Sequence, residues 1–211
     1  GNLVVAGFGE EIINRLRARD GLGRNTWGEP YGPDHWSWTV FDPEKLKVVY
    51  DQMVTEAGVK LNLCTKMVDV LTDGERVTGL VLSCRGKPFC VKADVFVDGT
   101  GDGTLAALAG APFKKGDEKG ETQACTMCFR MANIDWERHY EWRRDTDQNH
   151  ALPKTFLQAM EEGHFEERDV HLVGAFRYGD QPCTANAGHV FAVDAVDTES
   201  LTAGLLKGRK V

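Results

Sequence analysis

The tightest constraint on this sequence is a turn. Asp94-Val95-Phe96-Val97 reads as a buried strand and runs straight into Asp98-Gly99-Thr100-Gly101-Asp102-Gly103. The small-residue run Thr104 to Ala109 follows with helical character, and Gly110 and Pro112 close it. A strand that enters a helix through so short a turn needs residues that tolerate unusual backbone angles. The start of the helix then presents unpaired N–H groups and a positive dipole end to whatever lies before it. Such a turn lets backbone approach a ligand closely. Alone it is a weak signal, because Asp102 could equally serve only to cap the helix.

The order of elements before the turn sharpens it. Asp42 can cap a helix whose first residue is Pro43, and Gly58 can supply the left-handed residue that ends it. Between them Leu46, Val49, Tyr50, Met53, Val54 and Ala57 share a face. Val59 to Leu63 reads as a short strand. Three β-like runs come next, Met67 to Leu71, Val77 to Ser83 and Phe89 to Val97, separated by the hairpin signals Asp73-Gly74 and Arg85-Gly86. The expectation is helix, strand, antiparallel meander, strand, glycine turn, helix.

The flanks have a different character. Val5, Phe8, Ile12, Ile13 and Leu16 step at helical spacing up to Asp20-Gly21. A long loop from Gly21 to Thr39 then carries Trp27, Tyr31, His35, Trp36 and Trp38, a density of aromatics that suits packing onto a core or a functional cover. Beyond the charged loop 114–121, strands are expected at 122–134, 170–178 and 189–193, and helices at 136–144 and 154–162. A last helix is capped by Asp197 and carries Leu201, Leu205 and Leu206.

The stretch from Phe41-Asp42-Pro43-Glu44 to Ala109-Gly110-Ala111-Pro112, centred on Asp98 to Gly110, resembles the FAD-dependent oxidoreductase family, two-dinucleotide-binding-domain flavoproteins related to the flavin subunit of heterodisulfide reductase. Cys128-Phe129-Arg130-Met131 and Val193-Asp194-Ala195-Val196-Asp197 are similar to the same family, so the resemblance covers most of the chain. It implies an α/β fold: a partial FAD/NAD(P)-binding Rossmann-like domain with an antiparallel β-meander over residues 41–112. A mixed α+β substrate or cap domain is implied for residues 1–40 and 113–211. The implied cofactor is FAD, with Val68 meeting the adenine through its backbone and Thr100, Gly101 and Asp102 lying beside the dinucleotide. The phosphate-binding Gly-x-Gly-x-x-Gly is not found, since Gly7-Phe8-Gly9 and Gly21-Leu22-Gly23 lack the third glycine. The chain therefore reads as an internal piece of a flavoenzyme that, by itself, neither retains FAD nor catalyses.

For the parent, the resemblance implies hydride or electron transfer to or from a small organic substrate lying between the flavin and the second domain. Arg130, His171, Arg177 and His189 are the polar strand residues proposed to face it, since a basic group can stabilise reduced flavin or clamp a carboxylate. The competing reading is a non-catalytic α+β binding or assembly domain whose glycine turn is structural.

Charge and cysteine content narrow the partners. The net charge of −7 speaks against nucleic acid, which needs a basic face, and no run approaches the roughly 20 apolar residues of a membrane span. Six cysteines in 211 residues are too few for a disulfide scaffold, so a cytoplasmic setting is expected. Cys125-Thr126-Met127-Cys128 has metal-ligand spacing, but in a strand residues three apart point to opposite faces, and no second pair completes a site. No metal is expected. A homo-oligomer formed through an open sheet edge, and an iron–sulfur or electron-transfer partner for the parent, complete the expected partners.

Overall fold

The computed structural model describes residues 6–25, 28–31, 39–145, 154, 157–164, 173–180 and 183–210. These residues form two compact units, one of residues 57–116 and one of residues 1–56 with 117–211. The architecture is mixed α/β, and both of its sheets are antiparallel.

The continuous unit is built on the meander. β1 (Thr65–Asp73), β2 (Arg76–Cys84) and β3 (Lys87–Val91) pair in sequence order. Asp73 faces Arg76 and Cys84 faces Lys87, so each connection has two residues, Gly74-Glu75 and Arg85-Gly86. Gly74, Arg85 and Gly86 take φ values of 60°, 50° and 84°, the positive angles that tight hairpin turns require. Helix α3 (Thr104–Leu108) packs on β1 through the buried Leu105.

Two expected strands do not form in this unit. Val59 to Leu63 and Asp94 to Val97 are extended or turn-like without a partner. The third β-like run ends at Val91 rather than continuing to Val97. Neither segment has a ladder to join among the described residues, and a strand exists only as one of a hydrogen-bonded pair. Their apolar side chains stand in solvent: Val95 is 76% exposed, Val97 88% and Leu63 63%. The parallel, Rossmann-like part of the expected fold is thus absent from the described residues.

In the discontinuous unit, α1 (Phe8–Arg17) and α2 (Pro43–Glu56) pack side by side. The fully buried Leu16 and Val49 anchor them, and each such side chain contributes about 1.5–3 kcal/mol. Arg15 donates to Glu56 at 2.6 Å, while Arg19 donates to the Gln52 side-chain oxygen. The expected punctuation of α2 is present: Asp42 Oδ1 accepts the N–H groups of Glu44 and Lys45, and Gly58 has φ 69°. Its apolar face is less buried than expected, because Tyr50 is exposed and Leu46, Met53 and Val54 are only partly covered. α2, grouped by sequence with the FAD-binding portion, thus packs in the unit that holds α1.

The second sheet has the order β4-β6-β5, with β4 (Cys125–Met131), β5 (Val173–Arg177) and β6 (Cys183–Val190). β6 begins well before the expected 189–193 run. Between the pairs Thr126–His189 and Cys128–Asn186 it carries an extra residue, with Gly188 at φ 80°. Helix α4 (Trp136–Asp145) follows β4, and α5 (Thr198–Gly208) packs on β4 and β6. Asp197 caps α5 as expected, its Oδ1 accepting Ser200 N–H at 2.7 Å. Of the expected helix at 154–162, the described residues 157–161 are helical. Trp27, His35, Trp36 and Trp38 lie outside the described residues.

Candidate functional site

The glycine turn is held by one carboxylate. Asp98 Oδ1 accepts Thr100 N–H at 3.0 Å and the Thr100 hydroxyl at 2.7 Å, while Oδ2 accepts Ala106 N–H at 3.0 Å. Thr100 Oγ1 in turn accepts Thr104 N–H at 2.8 Å. Asp98 and Thr100 therefore satisfy N–H groups at the start of α3 that would otherwise be orphaned. Hydrogen bonds from the Thr100 hydroxyl first, and then from Ala106 and Thr100 N–H, hold the Asp98 carboxyl below the usual carboxylate range.

Asp102 is not the cap. The N-cap position is Gly103, at φ 62° and ψ 36°, and it makes no side-chain capping bond. Asp102 is exposed beside it. Sequence reasoning missed Asp98 as the organiser, although its place at the end of a β-like run, two residues before a threonine, is a recognisable Asx-turn position.

Val68 sits on a β-bulge. Met67 pairs with Leu82 and Asp69 with Val81, so the register steps over Val68 and leaves its backbone outside the regular ladder. Its side chain is half exposed. A side chain added at Gly99, Gly101 or Gly103 would meet nothing within 4 Å, so the backbone of the turn is open to a close approach. A bulged strand and an open glycine turn are features that an adenine or ribose can approach through backbone groups. The adenine side of an FAD site therefore fits these residues, and a pyrophosphate loop is not among them.

The other unit holds a cleft of about 420 Å3 between the residues leading into α2 and one face of the second sheet. Phe41, Pro43 and Phe176 are among its apolar walls, and Thr39, Cys128, Arg130, Tyr178 and Thr184 bring polar groups to it. The register explains the grouping. Arg130 pairs with Thr184 and Phe176 pairs with Thr184, so the three form a row across the sheet on one face. Arg130 Nη1 donates to Glu44 Oε1 at 3.1 Å, and Glu44 also pairs with Lys47. Lys47 first, then Arg130, hold the Glu44 carboxyl below its ordinary value.

Of the remaining sequence candidates, Arg177 and His189 are not among the residues that line this cleft. Arg177 lies one residue beyond Phe176 and so faces the opposite side of the sheet. Its guanidinium carbon stands 5.4 Å from the Trp136 ring centre and 6.0 Å from that of Tyr140. It also donates to the backbone oxygens of Gly179 and Asp180. His189 lies on β6 opposite Thr126, its ring 6.3 Å from that of Phe191. His171 lies outside the described residues.

All six cysteines are free thiols, and no cluster of three or more metal-ligating side chains occurs among the described residues. Cys183 is fully buried, and burial pushes its thiol up, away from the reactive thiolate. Cys128 Sγ donates to Asn186 Oδ1 at 3.4 Å. No described helix is long and apolar enough to cross a membrane.

A bulged meander followed by an open glycine turn is compatible with part of an FAD-binding domain. The chain belongs to the FAD-dependent oxidoreductase family, whose profile matches residues 1–211. No curated protein and no solved structure matches it. Family membership supports a flavin-linked redox function and FAD as the family's cofactor.

Proposed function

We propose that these residues supply the adenine-side contacts of an FAD site in an enzyme that passes hydride or electrons to or from a small organic substrate. The observation that carries the reading is the pairing of a bulge at Val68 with a glycine turn whose backbone is pinned by Asp98 and open on its outer side. Val68 would meet the adenine through its backbone. Thr100, Gly101 and Asp102 would lie beside the dinucleotide. FAD would bring the redox chemistry, and the chain's residues would bind and orient it.

The 211 residues by themselves retain FAD weakly, because a dinucleotide site draws much of its affinity from a glycine loop and helix N-terminus around the pyrophosphate. The exposed Val95 and Val97 fit strands that pair elsewhere in a complete flavin-binding sheet. The relationship to the flavin subunit of heterodisulfide reductase, an electron-transfer partner and a cytoplasmic setting belong to the same proposal. Six free thiols suit a reducing compartment.

The test is the visible spectrum of the intact natural protein, followed by anaerobic titration with dithionite. A flavin spectrum that bleaches on reduction is the expected result. A colourless protein that takes up no FAD on reconstitution would establish the non-catalytic binding or assembly reading instead.

A further inference from the structure

We infer that the cleft between the start of α2 and the β4-β6-β5 sheet binds a small carboxylate with an apolar body, its carboxylate on Arg130. The cleft volume of about 420 Å3 falls within the roughly 300–1,000 Å3 of small-molecule sites. Its exposed lining is mainly apolar with some polar groups, which suits a site that buries a hydrocarbon and fixes one charged end.

The geometry of Arg130 supplies the specificity. Glu44 occupies only Nη1, in a single hydrogen bond. Nε and Nη2 have no protein partner among the described residues, and they form one edge of the guanidinium. That edge presents two parallel N–H groups, the arrangement that matches the two oxygens of a carboxylate. Thr184, paired with Arg130 on the neighbouring strand, also lines the cleft and carries a hydroxyl that can donate.

Glu44 is shared between two cations, Arg130 and Lys47, so its one carboxylate does not neutralise both. Glu44 also holds the guanidinium against the start of α2, where Phe41 and Pro43 wall the cleft. Phe176, in the same cross-strand row, gives the ligand body an aromatic surface.

The inference rests on the proposed flavin-linked function only for calling the ligand a substrate. Binding is therefore measured in the protein without turnover. Phenylacetate, cinnamate and 4-methylpentanoate are each titrated calorimetrically against the corresponding amide, which keeps the shape and removes the charge. Preference for at least one acid over its amide by about tenfold is expected. Arg130→Met should abolish that preference, and Arg130→Lys should retain only part of it. Glu44→Gln should raise acid affinity about three- to tenfold, since it removes the competing carboxylate. A merely structural ion pair would not give these two substitutions opposite signs.

Circular dichroism checks that each variant keeps its fold. Equal binding of acid and amide, or no binding of any acid, overturns the inference. So does a preference that survives Arg130→Met, or a loss of acid affinity in Glu44→Gln. A preference undiminished in Arg130→Lys overturns the two-pronged contact. Acid binding by a protein that takes up no flavin would leave this site standing and remove the redox reading alone.

Discussion

Asp98 reaches eight residues along the chain to accept the N–H of Ala106 at 3.0 Å, so one carboxylate ties the end of an extended segment to the first turn of α3. Its other oxygen accepts both the N–H and the hydroxyl of Thr100, and the three bonds together fix the shape of the glycine turn. Asp98→Asn keeps the size of the side chain but removes its charge. We expect faster hydrogen exchange at the Ala106 and Thr100 amides in this variant, with little change in global melting. The pH dependence follows from the sign of the shift. The folded carboxyl lies below its ordinary value, so its contribution is complete above the unfolded value of about 3.9. It fades as pH falls toward the lower folded value. Protection of Ala106 should therefore weaken on acidification below that range in the natural protein and be flat in Asp98→Asn. The same acid dependence in both would show that the carboxylate does not organise the turn.

Two glycines of the turn separate folding from binding. Gly103 has φ 62°, which an alanine adopts at a cost of roughly 1–2 kcal/mol. Gly103→Ala should lower the stability of its unit by about that amount in urea, and Gly103→Asn by less. Gly101 has no positive φ, and a methyl group there meets nothing within 4 Å. Gly101→Ala should leave the unfolding curve unchanged. It should weaken FAD binding by the intact protein about tenfold, or roughly 1.4 kcal/mol, because the methyl would stand in the path proposed for the dinucleotide. Reconstitution titrations of the apoprotein measure this, and unchanged affinity would remove the turn from the FAD site.

Val68 gives a complementary test, since its proposed role is carried by backbone rather than side chain. Val68→Ala should change FAD affinity by less than about threefold. Val68→Pro removes an N–H at a position the β1–β2 register already steps over, so the ladder should survive. FAD affinity should fall in that variant while the far-ultraviolet spectrum stays the same. A larger loss from alanine than from proline would mean that the side chain makes the contact.

What was legible in the sequence was local. Asp42 and Pro43 begin α2, Asp197 begins α5, and Arg85-Gly86 turns the second hairpin, because each acts on backbone within three or four residues. β6 was harder to see. Its sequence Cys183-Thr184-Ala185-Asn186-Ala187-Gly188 has low strand propensity, and partners on both sides make it a strand. Val95 and Val97 failed the opposite way, with strong propensity and no neighbour among the described residues. Arg130 was legible as a candidate, but its companions were not. Glu44 lies 86 residues away in sequence, and Thr184 and Phe176 reach it only through strand register. Arg177 carries the same side chain one position out of phase, which turned it toward Trp136.

The packing of α5 reverses a common rule. Replacing glycine by alanine inside a helix normally stabilises by about 1 kcal/mol. At Gly204 the added methyl would lie 2.7 Å from Val193 Cγ2 and 3.0 Å from Cγ1, and a β-branched side chain has little rotamer freedom with which to move aside. Gly204→Ala should therefore destabilise the discontinuous unit by a net 1–2 kcal/mol, roughly the cost of overpacking less the helix gain. At Gly208 the added methyl would meet Met127 Cγ, close to the root of that side chain, and would stand 3.1 Å from Val190 Cγ2. Gly208→Ala should therefore destabilise as well, eased only as far as the unbranched Met127 side chain can rotate. Urea unfolding of the two variants side by side measures both effects. A stabilised Gly204→Ala or Gly208→Ala would mean that α5 can move off its neighbours at little cost.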